Sequence, residues 1–193
     1  MKLRIVSIIL RQLMWPKICL FRVISTARQE GKPHLWQPLL TWGAGSIQFE
    51  RDVAIGYFPS PFFFSSYAHI EARTRNARVV IGEGTHINNN FVAIAEHTSI
   101  RIGKRCFIGT NVEILDSDFH GIRVSERGRS NPEFARPVVI GDDVFIGSNT
   151  KILKGAEIGS KSVIGSGSIV IGAIPAGVVA AGVPARPLTV IPA

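Results

Sequence analysis

A beat of six residues governs the second half of this chain. Ile140, Ile146, Ile152, Ile158, Ile164 and Val170 stand six apart, and Gly follows directly at 141, 147, 159 and 165. Four places after each aliphatic come Val144, Thr150, Ala156, Ser162, Ser168 and Ile174, mostly small or β-branched. The same phase runs upstream through Ile81, Ile87, Ile102, Ile108 and Ile114, and a weaker, interrupted version begins near Ile47 with Val53 and Ile70. Such a period fits neither a helix, at 3.6 residues, nor a plain alternating strand. It fits a solenoid, in which each repeat buries its apolar face only by stacking on the next. Each unit reads as a short strand with the aliphatic pointing inward, then a tight turn eased by Gly. Three units close one triangular coil, and stacked coils pair as parallel strands about 4.8 Å apart. The expected class is therefore all-β, a parallel β-helix.

The beat breaks once. After Ile114 comes Leu-Asp-Ser-Asp-Phe-His, and the next regular unit starts at Ile140. Residues 121–137 between them are polar and basic, with Arg123, Arg127, Arg129, Arg136, Gly128 and two prolines, so they read as a long loop leaving a corner of the coil. Solenoids tolerate such insertions because the loop runs over solvent. A lone His is ordinarily a structural residue. His120, however, sits where an extended loop leaves a rigid scaffold, beside Asp116 and Asp118. Imidazole titrates near neutral pH and suits a general base. A carboxylate or a backbone carbonyl on its other nitrogen would fix the tautomer. Asp118 and Asp116 are the local carboxylates, and the sequence does not choose between them.

The net charge of +8 is unevenly placed. Residues 1–40 hold seven Lys or Arg against one acid, Glu30, a net of +6; the rest holds 15 bases and 13 acids, a net of +2. The solenoid is nearly neutral, and with no recognised motif or basic stripe the high pI does not indicate nucleic acid. The boundary is expected at residue 40: a basic amphipathic segment over 1–40, and the β-helix over 41–193. Arg4, Arg11, Lys17 and Arg22 interrupt every apolar run in the first segment, which argues against a membrane span or a secretory signal. Two short helices separated at Pro16 are expected there. They would lie at a membrane interface through Ile5, Ile8, Ile9, Leu13 and Trp15, cap the open end of the solenoid, or do both. The aromatic stretch Tyr57–Tyr67 reads as core or intersubunit packing. Cys19 and Cys106 form no CxxC, and Cys106 holds a small inward position, so a reduced thiol and a cytoplasmic location are expected.

The segment from Ile140 to Leu188, IGDDVFIGSNTKILKGAEIGSKSVIGSGSIVIGAIPAGVVAAGVPARPL, closes on Gly182-Val183-Pro184-Ala185-Arg186. It resembles the C-terminal coils of galactoside, maltose and polysaccharide O-acetyltransferases, hexapeptide-repeat enzymes with a left-handed parallel β-helix. The match covers about residues 81–188 and is absent over 1–40. The left hand, an exception to the right-handed crossover rule, is implied by this resemblance alone. So is the reaction, transfer of acetyl from acetyl-CoA to a sugar hydroxyl, with His120 as general base and the Ser148 N–H as oxyanion donor. The resemblance also implies that Ser148, Ser166 and Gly167 leave room for pantetheine, that Arg186 meets the CoA phosphates, and that Asn89 lies nearest in register to an acceptor-binding Asn. It further implies a homotrimer with CoA bound between subunits. The chain departs from the family at Phe145, where Trp is common, and at Ile171-Gly172, where a Thr-Lys pair is common.

The acceptor expected from these features is a bacterial surface glycan or its lipid-linked precursor. Two other enzymes share the fold. A sugar-nucleotide N-acetyltransferase has less need of a base, because an amine already attacks well. A zinc carbonic anhydrase needs two of its three His close in sequence, whereas His86, His97 and His120 are 11 and 23 apart, so no metal is expected. A non-catalytic scaffold would give His120 and Gly182–Arg186 no task.

Overall fold

The computed structural model describes residues 2–192, and side chains from residue 9 onward except that of residue 11. After an N-terminal helix the chain winds as a three-sided parallel β-helix whose faces hold seven, eight and six strands. The first face runs from Arg28–Glu30 and Ser46–Phe49 through Val138–Ile140 to Ala173–Ile174. The second runs from His34–Leu35 through Phe107–Ile108 and Phe145–Ile146 to Val178–Gly182, where Ala185–Val190 folds back antiparallel. The third runs from Leu39–Trp42 through Ala68–Ala72, Val92–Ala95 and Glu113–Leu115 to Ile169–Val170. Register is strict: Ile87, Ile108, Ile146 and Ile164 stack in consecutive coils. All of them are buried, as are the small partners Val144, Thr150, Ala156, Ser162 and Ser168.

Ile47, Val53 and Ile70 of the weak early pattern are wholly buried, but the residues in register with the later aliphatic rows are Phe49, Ile55 and Ile70, so Ile47 and Val53 lie two places out of phase. Strands Arg28–Glu30, His34–Leu35 and Leu39–Trp42 already complete a coil. The expected boundary at residue 40 therefore moves to about 25, and the appendage is only the helix. Cys106 is buried, and burial pushes its thiol pKa up.

Corners are set by turn chemistry. At the corner between the second and third faces, Asn90, Asn111 and Asn149 adopt positive φ of 59, 56 and 59°. The short polar side chain of Asn tolerates that region. Their amides form a ladder, Asn90 to Asn111 and Asn111 to Asn149, each 2.8 Å.

Helix α1 (Lys2–Ile24) is continuous through Pro16, not two helices. Proline removes one intrahelical bond, but Leu10, Met14 and Ile18 form a buried stripe on both sides of it. That stripe packs with Phe63, Leu35, Trp36 and Phe58 and holds the axis across the gap. Phe63 belongs to the aromatic stretch, which leaves the corner after Ala54–Ile55 and clamps the helix to the solenoid, with the Tyr67 ring tilted against that of Phe21 at 4.8 Å. A second stripe, Ile9, Leu13, Leu20, Val23 and Ile24, faces outward, Val23 being 82% exposed. The side chains of Ile5 and Ile8 lie outside the described residues. Among the described residues no helix is long and apolar enough to cross a membrane.

Candidate active site

The long loop leaves the corner between the third and first faces. The Asp116 carbonyl accepts from Arg136 N at 2.9 Å and so closes its base. Two short helical turns, Val124–Glu126 and Pro132–Phe134, shape its interior. His120 sits on the entering limb with its ring exposed. Its Nδ1 lies 3.1 Å from the Gly121 carbonyl. As an Nδ1–H donor to that oxygen, the ring presents an unprotonated Nε2, which has no protein partner among the described residues. Gly121 is required at this point: a Cβ would lie 2.3 Å from that of Glu126.

Neither expected carboxylate orients the ring. Asp116 is fully buried and accepts from Glu96 N (2.7 Å), His97 N (3.2 Å), Thr98 N (2.7 Å) and Thr98 Oγ1 (2.8 Å). It braces the turn of the coil above, and its oxygens are fully engaged. Asp118 points outward to Lys154 Nζ at 2.5 Å. The backbone carbonyl of Gly121 does the task for which the carboxylates were expected.

A buried polar network lies beneath the loop, and the sequence reading missed it. Glu96 Oε2 accepts from Ser117 Oγ at 2.7 Å and from Ser130 Oγ at 2.5 Å, one residue on each limb. Its Oε1 accepts from Arg73 Nη1 at 3.0 Å. Arg73 also bonds Glu71, and its guanidinium lies 4.8 Å over the ring of Phe119, next to His120. His97 Nε2 is 3.2 Å from Ser130 Oγ. Burial alone would raise the Glu96 carboxyl, but hydrogen bonds from Ser130, Ser117 and Arg73 outweigh it and hold the pKa below the ordinary value. The partners are 21 and 34 residues apart in sequence, so no local spacing betrays them. The one available signal was the adjacent pair Glu96-His97 at a turn of this corner.

The remaining expected residues lie elsewhere. Ser148 is in the turn between the second and third faces. Its Oγ accepts from Thr110 N at 3.2 Å, its carbonyl accepts from Gly167 N at 2.8 Å, and its own N–H has no protein acceptor among the described residues. Ser166 and Gly167 stack one coil below, both exposed, and a Cβ at Gly167 would meet nothing within 4 Å. Arg186 is exposed at the start of the returning strand. Asn89 departs from expectation: it is fully buried, and its amide bonds Tyr57 N (3.0 Å), Tyr57 O (2.9 Å) and Pro61 O (2.9 Å), which pins the aromatic loop and leaves nothing for an acceptor. His86 lies on the second face, stacked on Phe107, away from the His120 corner. Among the described residues no three metal-ligating side chains converge.

His120 and Ser148 occupy different corners. The third face between them spans about 17 Å at about 3.3 Å per residue. A single chain does not bring them together.

Residues 137–172 match the family described as bacterial transferase hexapeptide (six repeats), and residues 99–126 match the hexapeptide repeat of succinyl-transferase. The chain is 41% identical over 111 residues to the galactoside O-acetyltransferase of Escherichia coli (strain K12), covering 54% of this chain and 53% of that one. It spans about half the length of the curated relatives it matches. The polySia-specific acetyltransferase NeuO superposes with a TM-score of 0.62 at 27% identity, over 87% of this chain and 88% of that one. A galactoside acetyltransferase in complex with coenzyme A does so with 0.53 at 28%, over 80% and 66%. By repeat and coil geometry the chain carries hexapeptide repeats of the bacterial transferase type, and it is similar to hexapeptide-repeat acetyltransferases and to their left-handed parallel β-helix.

Proposed function

We propose that this protein transfers the acetyl group of acetyl-CoA to a hydroxyl of a bacterial surface glycan or of its lipid-linked precursor. One observation carries the reading. His120 stands exposed on a loop that a buried network holds from below, with its tautomer set by Gly121 and its Nε2 free. A sugar hydroxyl needs such a base; an amine acceptor does not. His120 Nε2 takes the hydroxyl proton as the oxygen attacks the thioester carbon. The Ser148 N–H of a neighbouring copy stabilises the tetrahedral oxyanion. Collapse breaks the C–S bond, and the imidazolium returns its proton to the CoA thiolate.

The separation of His120 from Ser148 supports a homotrimer whose sites lie between copies, each copy giving His120 to one site and the Ser148 turn to another. Ser166, Gly167 and Arg186 continue from that turn as the path for pantetheine and phosphates. The basic helix with its outward apolar stripe supports peripheral contact with the cytoplasmic face of a membrane. Thiol release from acetyl-CoA over a panel of glycan and amine acceptors tests the reading. Hydroxyl acceptors are expected to drive release, and His120→Ala to lower kcat by about 10²- to 10⁴-fold with the fold intact. Turnover of amines alone would favour a sugar-nucleotide N-acetyltransferase.

A further inference from the structure

A cavity lies between α1 and the second face, away from the His120 loop. It measures about 1030 Å³, the upper end of the range for small-molecule sites. Its floor is apolar: Leu10, Met14, Ile18, Trp36 and Phe63. Its rim carries Arg22, whose guanidinium lies 5.8 Å from the ring of Trp15, and the pair His34–Asp52 at 3.7 Å. Among the described residues of this lining, Asp52 is the acid and faces His34, so Arg22 is the cation left for a ligand. No acid precedes Glu30 in the sequence, so the helix brings no negative charge to the mouth. The outward stripe of Ile9, Leu13, Leu20, Val23 and Ile24 belongs to the same helix.

A row of side chains on the second face leads from the cavity toward the Ser148 turn. Ala54 and His86 line the cavity, and they head this row, which continues in register through Phe107 to Phe145. His86 stacks on Phe107, with planes 7° apart, and Phe107 and Phe145 are both exposed. Phe145 is three residues before Ser148, so the Ser148 turn lies about 14 Å down this row at about 4.8 Å per coil.

We infer that this cavity binds the hydrocarbon chain of a lipid phosphate, with Arg22 on the phosphate and the chain on the floor beneath α1. A membrane-borne acceptor held there extends its sugars along the second face toward the Ser148 turn. The acceptor role rests on the acetyl-transfer reading; the binding itself does not.

Hexadecyl phosphate, below its micelle concentration, is titrated into the full-length protein without acetyl-CoA and read by native mass spectrometry and by tryptophan emission. One molecule per chain and a blue shift from Trp15 and Trp36 are expected, with weaker binding of hexadecanoate and none of inorganic phosphate. Arg22→Gln should weaken hexadecyl phosphate at least about tenfold, the worth of a charge-assisted hydrogen bond, and leave hexadecanol unchanged. Ala54→Phe, which narrows the cavity, should weaken both. Arg22→Gln decides the matter if Ala54→Phe does not fold. Non-saturable uptake, insensitivity to Arg22→Gln, equal affinity for hexadecanoate, or no uptake because another copy covers the cavity each overturns the inference. Since the assay uses no acetyl-CoA, its failure leaves acetyl transfer to soluble acceptors standing, and loss of transfer in His120→Ala leaves the binding result standing.

Discussion

Glu96 carries the clamp under the His120 loop, because one carboxylate holds a serine from each limb and the arginine over Phe119. Glu96→Gln keeps the size but removes the charge that three donors share. A loss of about 2 kcal/mol in stability is expected from the weakened bonds. If the clamp positions His120, kcat falls while KM for acetyl-CoA stays near wild type; a purely structural role would lower stability alone. The pH dependence has a definite sign. The folded pKa of Glu96 lies below its ordinary value of 4.5, so its contribution is present above that value and is lost as pH falls through the folded one. The melting temperature of the wild type should therefore drop below pH about 4.5 more steeply than that of Glu96→Gln. Parallel acid profiles would contradict the clamp. None of this was legible in sequence, since the residues meet only when coils stack. His120 was legible because it interrupts a period, whereas Asp116 and Asp118 looked equivalent to each other and proved to serve a turn and a surface lysine.

The hexapeptide turn, as an element, was legible almost to the residue. Its aliphatic, glycine and small position each answer one physical need: core, close approach and corner. Gly147 shows how little slack remains, since a Cβ there would lie 2.5 Å from Ser166 N, a backbone atom that cannot rotate away. Gly147→Ala should cost about 1 to 3 kcal/mol, the usual range for overpacking. It should also depress thiol release, because it displaces the Ser148 N–H. Chemical denaturation together with the thiol assay checks both; an unchanged midpoint would mean the coils separate more freely than their register implies. Helix α1 was the less legible element. Pro16 suggested a break, but tertiary packing of Leu10, Met14 and Ile18 overrides that local preference. The aromatic stretch could not be assigned until its partner, the helix, was in place.

For the whole molecule, the helix has two apolar stripes, one packed on the solenoid and one exposed, and truncation tests what each does. Removing residues 1–25 leaves every coil intact but uncovers Phe63 and Trp36 and takes away three buried side chains, each worth about 1.5 to 3 kcal/mol. A lower melting temperature is expected, together with loss of flotation on anionic liposomes at low salt. Equal flotation of both forms would leave the helix only its packing role. The single chain also explains why the proposed site could be named in sequence but not assembled: His120 and Ser148 lie on different corners, and the proposal joins them across two copies. Subunit mixing tests this most directly. Ser148→Pro removes the N–H, together with the Oγ that accepts from Thr110 N and Thr110 Oγ1, so its folding is checked first, and His120→Ala removes the proposed base. Each variant alone should be nearly inactive. Dissociated, mixed in equal amounts and reassembled, they should recover about a quarter of wild-type thiol release, the fraction of sites that draw an intact His120 and an intact Ser148 from different copies of a closed ring. Activity no greater than the sum of the two parents would contradict a site built between copies.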